Sequence, residues 1–148
     1  MPDESVGGPY LQVASFCEKV LIEAGQIASL IRLVDRFMVN GPTPEMQPTM
    51  LNFYMVISLK SGFVRGKHTI RIAPSSPTGK EMPAFNAPQL FEGENRGVML
   101  AAMMNFQVQE EGIYWFDVYF EDQLMTRMPL QVIYQQTGFV QQKPPAGD

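Results

Sequence analysis

Apolar and polar residues alternate most clearly near the C-terminus. Tyr114, Phe116, Val118 and Phe120 form one set, and Leu124, Thr126, Met128, Leu130 and Val132 another. A period of two predicts strands over Ile113 to Phe120 and Leu124 to Tyr134, each turning one face to a core, with Glu121-Asp122-Gln123 as the turn between them. Val98, Leu100, Ala102, Met104, Phe106 and Val108 extend the same period over Gly97 to Gln109. Met, Leu and Ala also favour helices, but the two strands that follow supply this segment with partners, so a strand is expected.

Toward the N-terminus, Leu11 to Ile22 and Ile27 to Val39 read as two strands of a long hairpin turned at Glu23-Ala24-Gly25-Gln26, the second apolar enough to bury both faces. Asn40 to Pro48 holds Pro42, Pro44 and Pro48 and cannot continue a ladder, because proline lacks the amide donor; it is expected to be a connector. Met50 to Leu59 and His68 to Ala73 are the third and fourth strands, followed by a turn at Ser75-Ser76-Pro77-Thr78-Gly79. Lys80 to Glu94, with Pro83, Pro88 and Gly93, offers a weak edge strand at most, followed by loop. From Gln135 onward the chain is too polar and proline-rich to bury more than Phe139 and Val140. The expected fold is an all-β, antiparallel sandwich of about seven or eight strands spanning 10–135, between a flexible stretch at 1–9 and a disordered tail at 136–148.

A length of 148 residues, 45% hydrophobic and 18% charged, suits one globular domain able to hold a core without a disulfide or metal staple. A formal charge of -4 argues against a general nucleic-acid binder or a polybasic membrane anchor. The acidic start MPDESVGGPY lacks the basic and apolar regions of a secretory signal, and charged residues or glycine interrupt every apolar run before it reaches membrane-spanning length. With one unpaired cysteine, a reducing, cytoplasmic setting is the expectation.

Cys17 and His68 are the only thiol and imidazole, too few for a zinc site, and nothing in their spacing brings them together as a nucleophile and base. Cys17 falls in the alternation Val13, Ser15, Cys17, where a small buried thiol is the ordinary explanation. Glu110-Glu111 and Glu121-Asp122 sit at turns and read as solvated charge, and the glycines fit no phosphate-binding spacing. Lys60, Arg65, Lys67, His68 and Arg71 make a local basic stretch, which could meet a phosphate or an acidic partner but more ordinarily protects an edge hairpin from aggregation. The expectation is a protein without catalytic residues, metal or cofactor.

The outward face of the C-terminal strands is more informative. Pairing Phe106 with Phe116 places Met103 opposite Tyr119, and pairing Phe120 with Leu124 places Asp117 opposite Arg127, Trp115 opposite Pro129 and Tyr119 opposite Met125. Met103, Trp115, Tyr119 and Met125 would then surround an Asp117 to Arg127 ion pair. Such a patch either docks a protein partner or a second copy, or is covered by the chain itself. The alternative is a small-ligand module for a carbohydrate or lipid headgroup, with Asn105, Gln107 and Gln131 as hydroxyl partners.

Gly112-Ile113-Tyr114-Trp115-Phe116 resembles the entry to a late strand of immunoglobulin-like sandwiches, where a tyrosine hydroxyl pins a corner between sheets; Tyr114 would be that residue. The paired cysteines of antibody domains are absent. Together with Cys17-Glu18, Asp35-Arg36 and Met128-Pro129-Leu130, the motif resembles a family of small bacterial β-sandwich proteins of unknown function. The resemblance covers most of Leu11 to Tyr134. It implies a fold and a bacterial cytosolic context, and carries over no catalytic residue.

Overall fold

Phe16, Phe53, Phe106 and Phe116 meet at the centre of the molecule, with Phe116 4.9 Å from Phe106 and 5.2 Å from Phe16, ring centroid to centroid. They come from two sheets packed face to face. The computed structural model describes residues 7–25 and 27–137. Its strands are β1 (Tyr10–Glu23), β2 (Ile27–Leu33), β3 (Arg36–Gly41), β4 (Thr49–Lys60), β5 (Arg65–Ser75), β6 (Phe85–Glu92), β7 (Gly97–Val108), β8 (Gly112–Phe120) and β9 (Gln123–Gln136). One sheet has the order β2-β1-β4-β7, the other β3-β9-β8-β5-β6.

This arrangement is immunoglobulin-like. β1, β4 and β7 occupy the places of the first, second and fifth strands of that fold, and β5, β8 and β9 those of its three-stranded face. β3 runs parallel to β9. The predicted corner is present: the Tyr114 hydroxyl donates to the Glu110 carbonyl at 2.7 Å and accepts from the Glu110 amide at 3.3 Å. The pair ties the crossing from β7 to β8 against the core. Burial pushes the Tyr114 hydroxyl pKa up from its usual value, against the lowering effect of its backbone bonds.

Alternation places the core as expected. Tyr114, Phe116 and Val118 of β8 and Met128, Leu130 and Val132 of β9 are buried, packed against Leu51, Phe53, Met55, Ile57 and Leu59 of β4. Three expectations about the strands and their pairing need correction. Among the described residues nine strands form rather than seven or eight, because Ile27 to Val39 is not one strand. Arg32 adopts a φ of 59°, and the chain breaks at Val34-Asp35, where the Val34 amide bonds to the Phe16 carbonyl at 2.8 Å. β2 thus ends in one sheet and β3 begins in the other.

The second correction is that β7 pairs with β4 and not with β8. Phe106 and Phe116 do meet, but across the interior rather than along a ladder. Third, Tyr119 pairs with Leu124 and Phe120 with Gln123, because an irregularity after Val118 adds one residue to β9.

Residues 7–9, expected to be flexible, lie against the turn after β4. The Phe63 amide bonds to the Gly7 carbonyl at 2.8 Å, and Gly62, at a φ of 63°, approaches Gly7 too closely for any side chain. Of the expected tail, 136–148, residues beyond Thr137 lie outside the described residues. Among the described residues no helix is long and apolar enough to cross a membrane.

Candidate interaction surface

β8 lies between β9 and β5, so its outward side chains are flanked on both sides. Three cross-strand rows result. Pro129, Trp115 and Ser75 form the first; Arg127, Asp117 and Ala73 the second; Leu124, Tyr119 and Arg71 the third. Arg127 Nε donates to Asp117 Oδ1 at 2.8 Å, and the same guanidinium lies 4.7 Å from the Trp115 ring centroid. The Arg71 guanidinium lies 5.0 Å from the Tyr119 ring centroid. Each arginine covers part of an aromatic ring, which is why Trp115 and Tyr119 are half-buried on an open sheet face.

The Asp117 to Arg127 ion pair and the Trp115 to Pro129 pairing match the sequence reading. Met103 and Met125 do not join them. Met103 is on β7, in the opposite sheet, where it pairs beside Tyr54 and is 65% exposed. Met125 is the extra residue of β9, and the irregularity turns it toward the core instead of placing it opposite Tyr119. Arg71 takes part instead. The basic stretch contained it, but its contact with Tyr119 depends on β5 lying beside β8, a pairing between distant segments.

The amide set of the small-ligand alternative is not assembled. Asn105 and Gln107 are on β7, whereas Gln131 is on β9 beside Ile113, so only Gln131 shares a sheet with Trp115. A groove of about 470 Å³ does border this face, lined by Arg71, Ala73, Glu81, Met82, Asp117 and Tyr119 among others. It lies between β5 and the segment leading into β6.

The reactive side chains are occupied with local structure. Cys17 is fully buried, its thiol donating to the Lys19 carbonyl at 3.5 Å, and burial pushes its pKa up, away from a reactive thiolate. His68 sits in the opposite sheet between Phe91 and Phe120, with Nδ1 3.1 Å from Glu121 and Nε2 2.9 Å from the Arg65 carbonyl. The two never form a pair. Glu121 accepts from the Thr69 amide at 3.1 Å and Glu111 from the Tyr134 amide at 3.2 Å, so these turn carboxylates serve the backbone. Among the described residues no three His, Cys, Asp or Glu side chains group as metal ligands.

In backbone comparisons, an immunoglobulin-like protein from Pseudomonas aeruginosa aligns over 86% of this chain and 98% of its own, at 12% identity and a TM-score of 0.45. A β-glucosidase from Listeria innocua, solved in complex with isofagomine, aligns over 83% of this chain and 16% of its own, at 12% identity and a TM-score of 0.44. No curated protein matches the sequence. The family model for DUF6941 matches residues 12–133, nearly all of the sandwich, and the chain belongs to this family of unknown function.

Proposed function

We propose that the protein is a non-catalytic interaction module that docks a protein partner bearing carboxylates against the Trp115, Asp117, Tyr119, Arg127 and Arg71 face. The observation that carries this reading is the pair of guanidinium-over-ring stacks on either side of Asp117. Trp, Tyr and Arg are the side chains that most often dominate binding energy at interfaces, and here their rotamers are held before any partner arrives. Arg127 is neutralised by Asp117, while among the described residues Arg71 makes no carboxylate contact within salt-bridge distance. A free guanidinium on a chain of net charge -4 favours one docking orientation of an acidic surface. The single free thiol suits a reducing compartment, and we infer the cytoplasm.

The test is affinity recovery from the native host with the wild-type chain, Trp115→Ala and Arg71→Glu, followed by reconstitution with the purified partner. Both variants are expected to lose the partner while keeping wild-type far-ultraviolet circular dichroism. A partner that binds both variants as well as it binds the wild type overturns the assignment.

A further inference from the structure

The two sheets have four edge strands, β2, β7, β3 and β6. An edge presents unpaired amides and carbonyls, and soluble proteins normally protect it with charge, proline or distortion. Three of the four are protected in this way. β2 carries Arg32 at a positive φ, β3 begins at Arg36, and β6 contains Pro88 and ends at Glu92. β7 has none of these devices. Its 12 residues, GVMLAAMMNFQV, include no charge and no proline, and it pairs with β4 without a register shift. Among the described residues no backbone hydrogen bond outside that ladder reaches 98–108. In immunoglobulin sandwiches of the constant type another strand lies at this position, beside the fifth, and among the described residues none pairs there.

We propose that the β7 edge pairs antiparallel with β7 of a second copy, joining two four-stranded sheets into one across a twofold axis. The absence of charge is what points to a second copy. A twofold axis sets the residues nearest to it against their own copies, so a charge in the middle of the strand would face the same charge, and the uncharged centre of β7 meets itself without that repulsion. The pleat restricts the register. Outward Met99, Ala101, Met103 and Asn105 must meet outward residues of the copy, so the axis passes through a residue rather than between two, and Ala102 or Met103 centres the overlap. A fully paired strand of this length spans about 40 Å. The pairing would extend an outward surface that is already uncharged, with Tyr54, Val56 and Ser58 of β4 beside Met103, Ala101 and Met99.

This proposal uses the sheet opposite the Trp115 face, so either reading can fail without the other. Light scattering coupled to size exclusion gives the mass, and amide hydrogen exchange reports on the strand. The wild-type chain is expected at twice the chain mass, with the β7 amides that point away from β4 protected. Met103→Lys places a charge on an exposed side chain near the axis; it should weaken association about tenfold or more and deprotect those amides alone. Ala101→Glu, also exposed, serves if Met103→Lys does not fold. Trp115→Ala should leave the dimer intact. A wild-type monomer from micromolar to millimolar concentration overturns the proposal, as does a dimer that survives both charged substitutions or one whose outward β7 amides exchange freely.

Discussion

Removing the Tyr114 hydroxyl isolates the contact that ties the two sheets at the crossing from β7 to β8. Tyr114→Phe keeps the buried ring, which packs against Phe106 at 5.5 Å, and deletes only the oxygen that bonds to both the carbonyl and the amide of Glu110. At about 1 kcal/mol net for each bond, the variant should lose about 2 kcal/mol, or roughly 6 °C in Tm for a domain of this size. Urea unfolding at pH 7 measures this, with an unchanged m-value because the surface exposed on unfolding is the same. The pH dependence supplies a second check. Burial raises the hydroxyl pKa in the folded state, so above the unfolded value of about 10 the native state keeps a proton that the unfolded state loses. The stabilisation is complete below pH about 10 and is lost as the pH rises through the folded value, so the gap between wild type and Tyr114→Phe should narrow in alkali. A loss below about 0.5 kcal/mol, or a gap that widens with pH, refutes the reasoning.

Three further outcomes follow from the packing. Phe53→Ala, which removes a ring touching Phe16, Phe37, Phe106 and Phe116, should cost about 3–5 kcal/mol in a denaturant melt; a loss below about 2 kcal/mol would contradict the placement of that ring at the centre. Cys17 should react with a thiol reagent only as fast as the fold opens, and rapid labelling of the native protein would contradict its burial. Asp117→Asn should change stability by about 1 kcal/mol or less, because Arg127 is half exposed, yet it frees the guanidinium above the only tryptophan. A red shift of Trp115 emission is expected, and an unchanged spectrum would show that Asp117 does not position Arg127.

Local features were legible in the sequence and distant pairings were not. The β8–β9 hairpin turns in two residues, so matching apolar faces was enough to place Asp117 opposite Arg127. The Gly-x-Tyr motif likewise located the corner, because Tyr114 and its partner Glu110 are four residues apart. For β7 the period of two identified the inward set correctly but carries no information on which sheet a strand joins. Alternation alone therefore places Met103 on the wrong side of the molecule. The break at Val34-Asp35 was hidden inside an apolar run, since Leu33 closes β2 and Val34 packs on the core while the chain changes sheets. One added residue in β9 was sufficient to move Met125 inward, and alternation alone gives no sign of it. Arg71 became part of the candidate face only through β5, whose pairing with β8 closes a long loop.

Because the chain has a single tryptophan, and it lies on the proposed docking face, acrylamide quenching of its emission reports on that face alone. With the reconstituted partner present, Trp115 should become markedly less accessible to the quencher than in the free protein. Equal quenching in the free and bound states would mean that the partner sits elsewhere, and the Arg71, Trp115, Asp117, Tyr119 and Arg127 surface would lose its assigned role.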